Sequence, residues 1–334
     1  MYTVNNFING KSDSTSSKSS KIINPSYGVD IGEVLYASKE SANLAIDAAS
    51  DAFKTWSKTG MSYRAELILK FRQEVINKSA EIIDICTKEA GKTKPDAEAE
   101  LDRAIQALTH ASGIQHFYPA HISRNVAGNI DIADMRYPIG VVAGVGPFNF
   151  PILIPILHSS MALVTGNTYI AKPSEKVPSI SRLYADIYKD IGLPDGCYNV
   201  INGGKDIVEY IVSHQKVDGL AFIGSTNAAR SLKALGVKSN TKVQALGGGK
   251  NHMIVLPDAD LDMAADAAVS ASFGAAGQRC MAVSVVVAVG DIADDLVVKI
   301  KERIPNIKMG VTDDNNTELG PVISKDNKDR IYSF

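Results

Sequence analysis

Apolar residues recur at three- and four-residue spacing from Ser38 onward: Ala42, Ile46, Ala49 and Phe53, with Trp56 beyond them. That spacing gathers one face of an α-helix against a core. The same rule predicts a second helix over 63–78 through Leu67, Leu69, Phe71, Val75 and Ile76. A third runs over 80–90 and stops at Gly91, and a fourth starts near Pro95 and carries Ala97, Leu101, Ile105 and Leu108. Ahead of these helices, the stretch 9–21 is rich in Ser, Lys and Gly and reads as loop. Asn24-Pro25-Ser26-Tyr27-Gly28 is turn chemistry.

Past the fourth helix the texture changes. Residues 122–138 read as an extended arm. Short apolar strands then alternate with helices: strand 139–145, helix 154–164, strand 168–172, helix 179–191, strand 198–201, helix 206–213, strand 220–223, helix 227–235 and strand 242–246. The first of these strands is nearly all apolar, as buried parallel strands are. Repeated β-α-β units imply a doubly wound α/β sheet of five parallel strands, with ligands beyond the carboxyl ends of its strands. Gly247-Gly248-Gly249-Lys250-Asn251 marks a junction. Asp258-Ala259-Asp260-Leu261 opens a long Ala-rich helix, a strand follows at 283–289, a helix at 294–303, and loop with a helix start over 310–334.

Composition narrows the class. A length of 334 residues at ~150 per domain suggests about two domains. The charge balance of 35 basic to 37 acidic residues predicts neither a nucleic-acid surface nor an acidic tail. Cys86, Cys197 and Cys280 are sparse, odd in number and without metal spacing, which fits a reducing compartment and no metal site. No apolar run reaches about 18 residues, so no membrane span is expected. The N-terminus lacks a basic region followed by an apolar one, and the cytoplasm is the expected compartment.

The most informative stretch is Phe273-Gly274-Ala275-Ala276-Gly277-Gln278-Arg279-Cys280-Met281-Ala282. It sets a lone thiol on a short helix-to-strand connection, where it can act as a covalent nucleophile. Burial as a small structural residue is the commoner fate of a free cysteine, but the neighbouring Arg279 favours a thiolate. Gly144-Val145-Gly146 lacks the third glycine of a dinucleotide fingerprint, and Gly249-Lys250 lacks the rest of a P-loop. Gly224-Ser225-Thr226 turns from a strand into a helix, where free amides and the Ser225 hydroxyl can hold a diphosphate, or where Ser225 is a plain N-cap. Lys172-Pro173-Ser174-Glu175 ends another strand. Its Lys and Glu can hold ribose hydroxyls or form a solvated pair. In Pro147-Phe148-Asn149-Phe150-Pro151 a stiffly held Asn149 can donate to an oxyanion, or satisfy loop backbone.

In this order these segments resemble the aldehyde dehydrogenase superfamily over nearly the whole chain. The resemblance implies that Cys280 is the nucleophile and Asn149 the oxyanion donor. It implies that Phe148, Lys172, Glu175, Gly224 and Ser225 bind NAD. Gly248-Gly249-Lys250-Asn251-His252, Pro257-Asp258-Ala259-Asp260 and the cysteine motif are similar to the CoA-acylating methylmalonate-semialdehyde branch. That branch implies CoA as co-substrate and CO2 release, with propionyl-CoA formed from methylmalonate semialdehyde or acetyl-CoA from malonate semialdehyde. Arg103 and Arg279 would then bind the substrate carboxylate. Hydrolytic members carry a Glu where this chain has Ala245, and Ala cannot activate water. Residues 1–121 and 139–246 are expected to form the NAD-binding domain, 122–138 an oligomerisation arm, and 247–334 part of a catalytic domain. The family's chain continues past Phe334, so the resemblance implies a C-terminally truncated member. The full-length family forms homo-oligomers, typically tetramers, an assembly this chain is not expected to complete. As given, it is expected to aggregate and to turn over poorly. The alternatives are a hydrolytic aldehyde dehydrogenase and an inactive fragment with partial nucleotide binding.

Overall fold

The polar N-terminus folds into strands despite its composition. The computed structural model describes residues 1–16, 18–118 and 120–333; Ser17 in the polar stretch, Pro119 and the terminal Phe334 lie outside them. Five short strands come first: β1 (Tyr2–Val4), β2 (Asn6–Ile8), β3 (Lys11–Asp13), β4 (Ser19–Asn24) and β5 (Val29–Leu35). The reading of 9–21 as loop is therefore corrected. Asn9 and Gly10 both have positive φ, 50° and 73°. That is the conformation a two-residue hairpin turn demands and Asn-Gly supplies. In β4, Ile22 is buried between exposed Lys21 and Ile23, so its inward positions are too few to register as a pattern. β5 pairs with β1 in parallel and with β4 antiparallel, making a small three-stranded sheet.

Four helices follow within one or two residues of their predicted bounds: α1 (Lys39–Trp56), α2 (Met61–Asn77), α3 (Ser79–Ala90) and α4 (Lys94–Ser112). Ser38 caps α1 by accepting from the Ser41 amide, and Thr93 caps α4 with Pro95 in its first turn. The arm is an exposed antiparallel hairpin of β6 (His121–Ser123) and β7 (Ile132–Asp134).

The central sheet is built from β8 (Val141–Val145), α5 (Leu153–Val164), β9 (Thr168–Lys172), α6 (Ser179–Asp190), β10 (Tyr198–Val200), α7 (Lys205–Ser213), β11 (Gly219–Ile223), α8 (Thr226–Ser239) and β12 (Lys242–Leu246). Its order is β12-β11-β8-β9-β10-β2-β3. Five strands are parallel as predicted, and the β2–β3 hairpin adds two antiparallel strands at one edge. Side chains alternate across the sheet. Tyr169 and Ala171 of β9 face a core shared with α2 to α6, and Ile170 between them faces a second core with α1, α7 and α8. Helices thus cover both faces, which is the doubly wound arrangement.

After the glycine run comes a strand the pattern did not show, β13 (Asn251–Val255), then α9 (Leu261–Phe273), β14 (Val283–Ala288), α10 (Ala293–Arg303) and α11 (Lys325–Tyr332). β13 and β14 pair in parallel across the α9 crossover. Arg303 of α10 bonds to Asp262 and Asp266 of α9 and holds the two helices together. Among the described residues, no helix is long and apolar enough to cross a membrane. None of them gather into a group of three or more His, Cys, Asp or Glu suited to a metal.

One buried carboxylate ties the first strand to this body. Glu89 of α3 is fully buried and accepts bonds from the Tyr2 hydroxyl of β1 and from the hydroxyl and amide of Ser179 at the start of α6. Burial pushes its carboxyl up to about 7, while the bonds from Ser179 and Tyr2 act the other way. The folded chain therefore holds this proton more tightly than the unfolded one, whose carboxyl has the ordinary value of 4.5. Its contribution to stability is complete below that value and is lost as pH rises towards 7. Scanning calorimetry between about pH 5 and pH 8 should show a melting temperature that falls with pH. Glu89→Gln should flatten that slope; an unchanged slope would remove Glu89 as its source.

Candidate active site

The strand order decides what meets. β11, β8 and β9 are adjacent, so the turns at their carboxyl ends lie side by side. The chain leaves β8 towards β9 and later returns to the other side of β8 with β11. A crevice at such a reversal is where doubly wound sheets bind ligands. Lys172 ends β9, is buried, and stands 3.7 Å from the Glu175 carboxylate. Burial holds its ammonium below the ordinary value, with Glu175 opposing that effect. The ammonium is withdrawn from solvent, while the Glu175 side chain is 38% exposed. At the end of β11, Gly224 approaches the Phe222 ring so closely that a Cβ would sit 2.5 Å from it. Ser225 then caps α8, its hydroxyl accepting from the Ala228 amide at 3.3 Å, and remains exposed. Phe148 lies half-buried in the turn after β8, with the Lys176 ammonium 5.7 Å from its ring.

That turn is held from below by charge. Glu100 of α4 is 3% exposed, and one of its oxygens accepts the Ile152 and Leu153 amides at 2.7 and 2.8 Å. Its other oxygen accepts from Lys92 Nζ at 2.6 Å. The Lys92 ammonium also stands 4.3 Å from the Phe150 ring centre. The Tyr184 hydroxyl donates to the Ile152 carbonyl at 3.1 Å. With Ile152 fixed on both sides, Asn149 is presented outward, and its Nδ2 donates to the Gln278 carbonyl at 2.8 Å. An amide nitrogen carries two hydrogens, so one is fixed and the other stays free to donate.

Gln278 belongs to the cysteine loop. Before it, Ala275, Ala276 and Gly277 all have positive φ, 52°, 54° and 69°. Two alanines in that region cost ~1–2 kcal/mol each, which neighbouring contacts must offset. Gln278 provides several. Its side chain donates to the Ala275 carbonyl at 3.2 Å, and its oxygen accepts the Ile323 amide at 2.9 Å. Cys280 is exposed two residues later. The Asn251 side chain on β13 donates to the carbonyls of Cys280 and Ala282, each at 2.9 Å, and anchors the loop from the far side. Cys86 and Cys197 are buried. Burial pushes the Cys86 thiol well above its ordinary value and the Cys197 thiol up to about 12, so neither supplies a thiolate near neutral pH.

The two arginines part ways. Arg279 forms an ion pair with Asp96 on α4, lying across Gly274, where a Cβ would collide with the guanidinium. The pair lines a cavity of about 370 Å³ with Phe273, Ser270 and Leu319. Arg103, two turns further along α4, is exposed and donates to Gln106 at 3.2 Å. The structure brings Asn149 to the Cys280 loop, and Lys172, Glu175 and Ser225 to one sheet edge. It does not bring Arg103 to Arg279. Sequence reasoning passed over Glu100, Asn251 and the bracing role of Gln278. A signal for Glu100 was present, because it interrupts the apolar stripe of Ala97, Leu101 and Ala104.

Known proteins share this sequence pattern and fold. The profile of the Aldehyde dehydrogenase family matches residues 12–334. Malonate-semialdehyde dehydrogenase 3 of Geobacillus kaustophilus is 39% identical over 333 residues, covering 99% of this chain and 69% of that protein. A Sinorhizobium meliloti 1021 protein assigned as a methylmalonate-semialdehyde dehydrogenase, complexed with NAD, superposes with a TM-score of 0.96 at 37% identity, over 100% of this chain and 68% of the other. Methylmalonate-semialdehyde dehydrogenase from Oceanimonas doudoroffii does so with the same TM-score at 38% identity and the same coverage. Matched by the family profile over residues 12–334 and by relatives covering nearly all of it, the chain belongs to the aldehyde dehydrogenase family.

Proposed function

We propose that this chain carries the NAD-dependent, CoA-acylating oxidation of malonate or methylmalonate semialdehyde through a Cys280 thioester. The observation that carries the reading is the 2.8 Å bond from Asn149 to Gln278, which sets an amide donor against the loop of Cys280, the one exposed cysteine among the described residues. The names of the relatives support the substrate class, and the NAD complex of the Sinorhizobium meliloti protein supports the cofactor.

In this reading the Cys280 thiolate attacks the aldehyde carbon and forms a C–S bond, and the carbonyl electrons move onto oxygen. The free hydrogen of the Asn149 amide and the Cys280 amide hold that oxyanion. NAD, when bound, supplies the acceptor for the hydride whose loss leaves a thioester. Lys172 and Glu175 hold the ribose hydroxyls, and Ser225 with the first amides of α8 holds the diphosphate; the open helix start and the close-packed Gly224 fit such a group. The carboxyl group of the substrate leaves as CO2, and the resulting enolate takes up a proton at carbon. Ala245 offers no base for water, so the thioester awaits the thiol of CoA, which displaces Cys280 and carries off the acyl group. Arg279, which lines the cavity beside the cysteine loop while paired with Asp96, is the cation for the substrate carboxylate, and Arg103, exposed and turned to Gln106, has no part in that contact.

Three outcomes are expected. Cys280→Ala should lower NADH formation from malonate semialdehyde by about 10³-fold or more. Cys86→Ser and Cys197→Ser, where they fold, should stay within about tenfold. Turnover surviving in Cys280→Ala would end the covalent reading. Calorimetric titration should show NADP binding at least roughly tenfold more weakly than NAD, because Glu175 repels a 2′-phosphate; equal affinities would contradict its place at the ribose. NADH formation should rise with added CoA and yield acyl-CoA, whereas Ala245→Glu should shift product towards free acid. Free acid as the main product of the unaltered protein at ample CoA would point instead to a hydrolytic enzyme.

A further inference from the structure

Glu100 lies on the face of α4 that points at the site, yet it touches no residue assigned a chemical role. It is a buried carboxylate with all of its visible partners in two places. One oxygen takes the amides of Ile152 and Leu153, which open α5, and the other takes Lys92. Those two amides would otherwise be unpaired donors at a buried helix start. A carboxylate is the acceptor best suited to them, because it meets the positive end of the helix as well as both N–H groups. Its burial is costly, and the carboxyl is pushed above its ordinary range by desolvation, with Lys92 and the two amides acting against that. A charge placed there without partners would be strongly destabilising.

The placement has a consequence for the oxyanion donor. Ile152 is three residues beyond Asn149, and Pro151 and Pro147 leave the connecting turn little torsional freedom. Fixing Ile152 therefore fixes Asn149. One helical turn before Glu100, Asp96 holds Arg279, the residue before the nucleophile. Positions four apart share a helix face. The first turns of α4 thus reference both loops of the site to a single rigid element.

We propose that Glu100 is a positioning residue, which sets the Asn149 amide against the cysteine loop through the amides of Ile152 and Leu153. The inference rests on the reading of Asn149 as the oxyanion donor for its effect on turnover, but its geometric content stands apart from that reading. The acceptor, not the charge, carries the role. A neutral acceptor in a charge-balanced background should then suffice, and an apolar residue of similar size should not.

The test compares Lys92→Met/Glu100→Gln with Lys92→Met/Glu100→Leu in the full chain. Both remove the buried ion pair and leave no stranded charge, and they differ only in the acceptor. Hydrogen–deuterium exchange read by mass spectrometry should show segments 147–153 and 278–282 close to the parent in the Gln variant. Both segments should exchange at least roughly tenfold faster in the Leu variant. NADH formation should follow, with kcat within about threefold of the parent for Gln, at least about tenfold lower for Leu, and KM changed by less than about threefold in either. Adding Asn149→Ala should abolish the difference between the two variants. The proposal is overturned if the two variants exchange alike, if faster exchange in the Leu variant stays within 147–153, or if the kcat difference persists without Asn149. If the Leu variant does not fold, exchange in Lys92→Met/Glu100→Asp decides: partial protection of both segments supports the role, and full loss with the Gln variant equally open overturns it. If the parent chain forms no NADH, the exchange comparison alone decides the positioning role.

Discussion

A hydrogen bond from the Asn149 amide to the Gln278 carbonyl joins two parts of the chain that are otherwise separate in sequence and in sheet. On one side stands the turn after β8, at the reversal point of the central sheet. On the other stands the loop that carries Cys280 out of the β13-α9-β14 unit. The contact is the direct link between the two loops, which α4 also ties together through Glu100 on one side and the Asp96–Arg279 pair on the other. The bond is also what makes a left-handed run at Ala275 and Ala276 tolerable. The chain must double back there for the Gln278 carbonyl to face Asn149, and Gln278 then stitches the loop to Ala275 and Ile323.

The contact needs stiff foundations on both sides, and they differ in kind. Beneath Asn149 the support is electrostatic and buried: Lys92, Glu100 and the amides of α5, with the Tyr184 hydroxyl on the Ile152 carbonyl. Interactions of this sort gain strength from the low dielectric around them, provided every member is paired. Beneath Cys280 the support is a neutral amide, Asn251 of β13, bonding the Cys280 and Ala282 carbonyls of the loop. The Asn149 side is therefore the more deeply buried support, and the Cys280 thiol stands on the more accessible one.

Much of this was legible in the sequence, and the physical reason is the size of the signal. Helices α1 to α4 each carry three or more apolar residues at helical spacing, and β8 to β12 are short apolar runs between them. Both patterns survive local noise. The strands β2 to β4 are three to six residues long and share no burial pattern, since all of β2 is buried, none of β3 is, and β4 buries only Ile22 and Asn24, so composition hid them. The Asn9-Gly10 pair was the readable clue. β13 was masked by the glycine run before it and by polar Asn251 and His252 at its start. Within the site, Asn149, Lys172, Glu175, Ser225 and Cys280 stood out because their motifs place unusual residues at strand ends. Glu100, Asn251 and the Gln278 bracing were hidden because their role is a relation between distant segments. The pairing of Arg279 with Asp96 was hidden for the same reason, across 183 positions of chain.

The β2–β3 hairpin has a kinetic meaning as well. Its partner in the sheet is β10, with Phe7 set against Val200. During synthesis the hairpin emerges early, but the edge it completes does not exist until β10 has left the ribosome. At about 5–20 residues per second that interval lasts roughly 10–40 s. A hydrophobic strand left waiting so long would be a template for other nascent chains. Asn6, Asn9, Lys11, Ser12 and Asp13 make it a poor one. The polar composition that concealed these strands is what allows them to wait for β10.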